Sequence, residues 1–444
     1  MWALAWPAVA LNSLQVVNSL LDSGFIGHLD KAALAAYGAV TAVIFLLFSL
    51  AMSLATGPTA LVSRAFGAGK PEEYREACRQ SVSLALLCGL MFAAIGYVGA
   101  PYAVVLLLPA EAARAAELGT AYLRIFCAGL PAIYLIQALA GSMRGIGDTR
   151  SPMVISGLQI LLHIALNFLF IFPPRTLGGA EIPGLGLGLP GGALALTASA
   201  WVAAIAYIVY AGFTPLGPNG RFTWPKPDWA TRIMRIAVPA SVMAVLRVLS
   251  LMVFTYILAL TANGETALAA MRPGFAIESL MFMPSFGLSM AAAALVGQSL
   301  GMQRPDRAEK LGWVAGHSAA TVTLAVSVPV FLFAESIASV MIVDKPAIVA
   351  EATMLIRFLC VTEIGFAYAM VMIGAMQGAG DTVRPLWITI VALWAIRVPL
   401  TWALVLPAGM GSAGAWIAMS ATQFLQGLMA VIAFRQGGWK TKEV

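Results

Sequence analysis

Charge is what this chain has least of. Only 10% of its 444 residues are Asp, Glu, Lys or Arg, too few to cover the surface of a soluble protein of this length. The four cysteines, Cys78, Cys88, Cys127 and Cys360, are scattered without C-x-x-C spacing. No disulfide framework and no metal site is expected, and the thiols read as buried bystanders. There are three histidines and no P-loop, zinc motif or nucleophile elbow, so no catalytic constellation, no cofactor and no enzyme is expected. No cleavable leader is visible either: Met1 runs into a full-length apolar span without a basic n-region or cleavage site, which makes the first span a retained anchor.

Apolar surface is abundant. Sixty per cent of the residues are hydrophobic and the mean hydropathy is +0.88, the composition of a polytopic membrane protein. A bilayer core about 30 Å thick needs about 20 apolar residues per helix, and twelve such stretches recur. They are expected at 2–27, 33–63, 77–108, 115–142, 150–172, 190–214, 232–260, 266–299, 309–333, 348–375, 384–406 and 411–436.

The chain is also duplicated. GSMRGIGDTRSPM (Gly141 to Met153) returns as GAMQGAGDTVRPL (Gly374 to Leu386), and the register extends outward. AWPAVALNSLQVVNSL answers AVPASVMAVLRVLSLM, KAALAAYG answers ETALAAMR, RAFGAGKPEEY answers QSLGMQRPDRA, and LRIFCAG answers IRFLCVT. Six spans per copy is an even number, so both copies enter the membrane from the same side and the repeats are parallel. The expected fold is all-α, two six-helix lobes around a central cleft, with residues 1–214 and 231–444 as the lobes. A Pro- and Gly-rich linker at 215–230 and an irregular external loop from Pro173 to Pro190 complete it.

Of the 26 basic residues, seventeen lie at loops after even-numbered spans or at the C-terminus and four in loops after odd ones. Positive-inside orientation then puts both termini in the cytoplasm, with the protein in the cell (inner) membrane. The net charge of +6 follows from this bias and calls for no nucleic acid. Five more lie inside the spans. Arg124, its repeat mate Arg357, and Arg272 are read as snorkelling or structural contacts.

The remaining intramembrane polar residues carry the functional expectation. Gln15, Asn18 and Asp22 form one stripe on the first span, and Gln159, His163 and Asn167 one stripe on the fifth. A carboxylate in mid-membrane costs about 2.5–3.5 kcal/mol on insertion scales. Asp22 must therefore be neutralised, paired or hydrated, and it is a candidate proton carrier. The other reading solvates it near the outer interface, or has it cap a helix break. Asn167 lies about 25 Å along its helix from Arg150 at 1.5 Å per residue, a depth that lets the two stripes meet. His163 then either shares the proton or packs by hydrogen bonding. Arg247, Glu278, Glu363 and Arg397 sit near mid-span in the second half, to be ion-paired or to meet substrate in the cleft, with Tyr134 and Gln137 of the fourth span as further lining. Four methionines and three phenylalanines between Met271 and Met290 make either an adaptable wall or ordinary packing. The two GDT loops, with Asp148 and Asp381, read as helix caps.

Taken together these segments resemble the multidrug and toxic compound extrusion (MATE) family over essentially the whole chain, and within it the DinF-like branch. The likeness rests on Pro7 followed by LDSGFIGHLDKAALAA, on ATGPTALVSRAFGAGK, on MRGIGDTRSP with its repeat MQGAGDTVRP, and on ALVGQSLGM. It implies secondary active export of mostly cationic, amphipathic small molecules in exchange for protons or sodium ions, by a monomer among membrane lipids. It also implies that the first-helix acid, Asp22, is central to coupling and shares a pocket with Asn18. Many relatives carry Asn and then Asp on the fifth helix; this chain has His163 and Asn167. Loss of the second carboxylate weakens a sodium site and favours protons. The rival readings are a lipid-linked precursor or polysaccharide flippase of the same superfamily, for which Arg247 and Arg397 would hold phosphates, a sodium-coupled exporter, and a channel.

Overall fold

The computed structural model of the chain describes residues 2–109, 111–177, 180–217, 223–342 and 345–443. Among the described residues, twelve helical spans are long and apolar enough to cross a membrane. Their outward faces carry large apolar side chains, such as Leu20, Val98 and Leu106, that are exposed without a bilayer around them. Helical pairing satisfies the backbone along the interior of each span, which a hydrocarbon medium requires.

The order is α1 (Trp2–Gly27), α2 (Lys31–Leu54), α3 (Thr56–Gly67), α4 (Pro71–Leu107), α5 (Ala113–Gly145), α6 (Arg150–Ile171) and α7 (Leu189–Gly212). Then come α8 (Pro227–Ala259), α9 (Gly264–Gly301), α10 (Pro305–Leu332), α11 (Ala334–Met341) and α12 (Pro346–Gly378), followed by α13 (Val383–Thr389), α14 (Val398–Val405) and α15 (Gly411–Arg435). The α2–α3 pair makes one span, Lys31–Gly67, and another, Val383–Val405, runs from α13 to α14. The largest departure from the expected bounds is at α4, which starts at Pro71 where apolarity alone suggested 77. Proline at the first helical position, with Glu72 and Glu73 in the first turn, extends the helix past its apolar stretch. The expected irregular loop holds a short antiparallel hairpin, β1 (Arg175–Leu177) with β2 (Ala180–Ile182), Thr176 opposite Glu181.

Two compact units emerge. One comprises Ala10–Ala65 and Lys70–Ala237; the other comprises Met1–Val9, Phe66–Gly69 and Val238–Val444. Relative to the expected split, the first nine residues belong with the C-terminal spans, while the linker and the start of α8 belong with the N-terminal ones.

In the N-terminal unit the core helix is α5, buried along most of its length. Glycines let its neighbours approach: a β-carbon at Gly141 would lie 2.7 Å from the Ala55 carbonyl oxygen, and one at Gly89 2.7 Å from Pro131 Cα. Thr59 Oγ1 donates to the Gly141 carbonyl at 3.1 Å. The linker is held to the start of α4, where Arg75 Nε donates to the Pro215 carbonyl at 3.0 Å and Lys226 Nζ lies 2.9 Å from Glu76 Oε1. Arg221 of that linker lies outside the described residues.

In the C-terminal unit the equivalent core helix is α12, the repeat mate of α5. Its glycines meet α9: a β-carbon at Gly374 would reach Ser289 Oγ at 2.0 Å, and one at Gly378 the Ala293 carbonyl at 2.0 Å. The methionines between Met271 and Met290 divide among packing clusters. Met271 packs in one with Phe254, Leu359 and Trp416, and Met281 in another beside Cys360. Between α13 and α14 the helix widens into a π-helical stretch, Ile390–Arg397, whose last donor is the Val398 N–H reaching Leu393 O. Pro399 follows at once and supplies no N–H of its own. The corresponding α6 is α-helical throughout.

Local chemistry repeats as well. Both GDT loops close in a Schellman turn: Asp148 N donates to Met143 O and Gly147 N to Arg144 O, each at 2.9 Å, and Asp381 and Gly380 donate likewise to Met376 and Gln377. The turn needs a left-handed residue, supplied by Gly147 (φ 89) and Gly380 (φ 83). The Asp side chains then cap the next helix, through the Ser151 N–H at 3.0 Å and the Arg384 N–H at 3.4 Å. Arg124 lies over the Tyr97 ring at 5.1 Å and Arg357 over the Phe331 ring at 5.9 Å. The cation and its ring are repeat mates in both halves, so these two arginines are structural contacts.

Candidate functional site

Within the N-terminal unit the two polar stripes meet. One turn of α1 separates Asn18 from Asp22, and Asn18 Nδ2 donates to Asp22 Oδ2 at 3.2 Å. From α6, Asn167 Nδ2 donates to Asp22 Oδ1 at 2.8 Å and lies 3.3 Å from His163 Nε2. His163 Nδ1 is 3.1 Å from Asn18 Oδ1 and 3.9 Å from Asp22 Oδ1. The four side chains form a closed ring. His163 and Asn167 are 4% and 2% exposed, whereas the Asp22 side chain keeps 19% and Asn18 is also half-buried, so the α1 side of the ring is the more open one.

Donor directions follow from the ring itself. A carboxylate only accepts, so both amides turn Nδ2 toward Asp22. Asn18 then presents its oxygen to His163, which must donate from Nδ1. Nε2 is left as a lone pair, and Asn167 Nδ2 faces it. Neutral His163 with its proton on Nδ1 is thus the form that fits an ionised Asp22. The phenols of Tyr37 and Tyr122, packed edge to face at 5.9 Å between centroids, lie within electrostatic reach of Asp22. They were not expected at this site, though Tyr37 stands in the KAALAAYG segment.

The other expected residues of this unit stay outside the ring. Gln15 is exposed and Gln159 half-buried, and neither hydrogen-bonds into it. Gln137 is half-buried on α5. Tyr134 is 1% exposed, stacked on Phe92 at 5.7 Å with its hydroxyl unpartnered. It was expected to line a cleft and instead fills the interior of its own unit.

The C-terminal unit gathers its four charges without pairing them. Among the described residues none of Arg247, Glu278, Glu363 and Arg397 makes an ion pair within 4.0 Å. Glu278 accepts from Gln423 Nε2 at 2.8 Å, Gln423 Oε1 accepts from Thr362 Oγ1 at 3.1 Å, and Arg397 Nε donates to Thr422 Oγ1 at 2.8 Å. Glu363 is 0% exposed and neither carboxyl oxygen has a partner; Arg247 Nε is also buried and unpartnered. Neutral partners from α12 and α15 thus stand where direct ion pairs were one of two expectations. Thr422 and Gln423, adjacent polar residues in the last span, are the sequence feature that announces them.

The duplicated segments with their prolines and GDT loops match a family model described as MatE over residues 7–169 and 239–403, more than half of the chain. The chain belongs to the MatE family. Members of this family are transporters and not enzymes, and the chain is a multi-pass membrane protein. It is 28% identical over 448 residues to the probable multidrug resistance protein NorM of Thermotoga maritima, covering 99% of this chain and 93% of that one. It is 25% identical over 456 residues to the uncharacterized transporter YisQ of Bacillus subtilis, covering 100% and 95%. Among solved structures, it resembles a MOP superfamily transporter from Pyrococcus furiosus with TM-score 0.89 at 22% identity, covering 99% and 96% of the two chains. An outward-facing multidrug resistance MATE transporter superimposes with TM-score 0.87 at 23% identity, covering 98% and 93%. At such identities the solved structures show the fold of a MatE transporter.

Proposed function

We propose that this MatE transporter is a secondary active antiporter of the DinF-like branch, exporting cationic amphipathic small molecules in exchange for protons by alternating access. It works as a monomer in the cell membrane with both termini cytoplasmic. The probable multidrug resistance function named for the Thermotoga maritima relative and the outward-facing state named for one structural relative support the export and alternating-access parts.

The observation that carries the coupling ion is the donor set around Asp22. Both carboxylate oxygens already receive N–H donors, Asn18 Oδ1 is occupied by His163, and Asn167 Oδ1 is turned away. A sodium ion wants several oxygens converging on one point, and here nitrogens converge on one acid. That favours a proton. Protonation from outside removes a charge, lets the first helix repack, and favours the state that releases substrate outward, provided proton and substrate bind the two states differently.

The test is efflux of a fluorescent lipophilic cation from vesicles holding the purified protein, under a proton gradient and separately under a sodium gradient. Proton-driven, saturable efflux is expected. Sodium-driven efflux would move coupling to Glu278 or Glu363. Inactivity under both gradients would favour the flippase reading, which Arg247 and Arg397 support as phosphate-holding groups. The Pyrococcus furiosus relative, described as having a binding pocket of reverse polarity suggesting a different function, lends it a precedent of fold.

A further inference from the structure

One atom of the Asp22 ring has no partner. Asn167 is 2% exposed, yet its Oδ1 accepts nothing, and it points toward Gly192 of α7, where a β-carbon would lie 3.8 Å away. A buried carbonyl without a donor is destabilising, while its own Nδ2 serves both Asp22 and His163. The amide is therefore arranged for one protonation state only.

The consequence follows from donor counting. When Asp22 takes a proton, its O–H needs an acceptor, and the ring offers none: Asn18 and Asn167 both present N–H groups to it. Two contacts survive and a third is remade in the opposite direction if the proton sits on Oδ1 and the Asn167 amide turns over. Asn18 Nδ2 still donates to Oδ2, His163 Nδ1 still donates to Asn18 Oδ1, and the new O–H donates to Asn167 Oδ1. The contact given up is that between Asn167 Nδ2 and His163 Nε2, at 3.3 Å the longest of the four. Protonating Oδ2 would instead oppose the Asn18 N–H and require both Asn18 and the His163 tautomer to change.

We propose that the Asn167 carboxamide is a rotor that reads proton binding at Asp22, donating to the carboxylate and turning over to accept from the acid. A hydronium ion gives one proton to Oδ1, its O–H bond breaking to leave water as the acid O–H forms; the amide turns without bond breakage, and His163 stays neutral with its proton on Nδ1 but loses the donor to Nε2. Asn167 is thus a positioning residue that sets which form of Asp22 the ring fits. The titratable groups facing Asp22 are His163 on α6, Tyr37 on α2 and Tyr122 on α5. Among the described residues no lysine or arginine pairs with it. From α7, Gly192 approaches the rotor, and the one tyrosine phenol buried on that helix, Tyr207, is bonded to Ser156 and the Pro152 carbonyl. This inference rests on the proton-coupled reading above.

The chain has three histidines, and only His163 is in the ring, so histidine-selective 15N labelling in lipid nanodiscs reads the rotor directly. At alkaline pH the wild type should show a protonated Nδ1 and a hydrogen-bonded lone pair on Nε2. On acidification the Nε2 resonance should move to that of an unbonded lone pair while Nδ1 stays protonated. Asp22→Asn should show the acidic pattern at every pH, because its amide N–H stands where the acid O–H would be. Asn167→Leu should show it too, and should flatten the pH profile of proton-driven efflux with at least a tenfold loss of rate. An Nε2 signal that does not change with pH in the wild type overturns the rotor, and so does a wild-type pH profile in Asn167→Leu. Proton-driven efflux with an unchanging Nε2 signal sinks the rotor alone; a moving Nε2 signal in a protein driven only by sodium sinks the proton-coupled reading and leaves the rotor.

Discussion

Glu363→Met should make the protein more stable. Glu363 lies at 0% exposure on α12 with both carboxyl oxygens unpartnered, and the charge that acts on it is another acid, Glu278. A buried unsatisfied polar group costs about 1–3 kcal/mol, and an ionised one more. Methionine has nearly the same length and can fill the same space without polar atoms. The substitution should therefore recover about 1–3 kcal/mol, which at a few degrees per kcal/mol raises the melting temperature on the order of 5 °C. Thermal unfolding followed by tryptophan fluorescence in nanodiscs measures it, with Glu363→Gln as the control that keeps an unsatisfied polar head and gains little. A melting temperature that falls in Glu363→Met would refute the reasoning, because it would mean the carboxyl group has a stabilising partner. If stability rises while efflux is lost, the acid is retained for transport at a cost in stability.

Other expectations come from backbone and packing. Gln303 sits at φ 57 in the turn whose repeat mate is Gly69 at φ 67; left-handed backbone costs a non-glycine residue about 1–2 kcal/mol. Gln303→Gly should raise the melting temperature slightly, net of the greater entropy glycine loses on folding. Gly378→Ala places a methyl 2.0 Å from the Ala293 carbonyl and 2.4 Å from its Cα, so α9 and α12 must separate. It should cost more than the roughly 1–3 kcal/mol of ordinary overpacking and show as poor recovery of folded protein on size exclusion, while Gly24→Ala, with nothing within 4 Å, should be recovered normally. Asp148→Ala removes the cap on the Ser151 N–H and should lower stability by about 0.5–2 kcal/mol, measured by the same melt.

The twelve spans were legible because bilayer thickness sets a length that composition alone can meet. Their starts were less so: at α4, α8 and α10 a proline opens the helix in polar sequence, before the apolar run begins. The Asp22 ring was legible for a similar reason, since spacing by turns of a helix puts Asn18 with Asp22 and His163 with Asn167, and equal depth lets the two faces meet. Which neighbour a face meets is another matter. Arg397 reads as a partner for an acid or for substrate, and within the lobe it donates to Thr422. Tyr134 reads as a wall residue until α4 brings Phe92 against it. The π-helical stretch before Pro399 and the passage of Met1–Val9 into the C-terminal unit depend on tertiary packing, to which a helical period is blind.

The central claim is that Asp22 carries the coupling proton, and it is tested most directly by comparing wild type with Asp22→Asn in vesicles, reading proton entry and cation efflux in the same sample. The account predicts that a proton gradient drives efflux in the wild type, and that Asp22→Asn, correctly folded by its melt, loses both proton entry and gradient-driven efflux. Gradient-driven efflux at the wild-type rate in Asp22→Asn would contradict it.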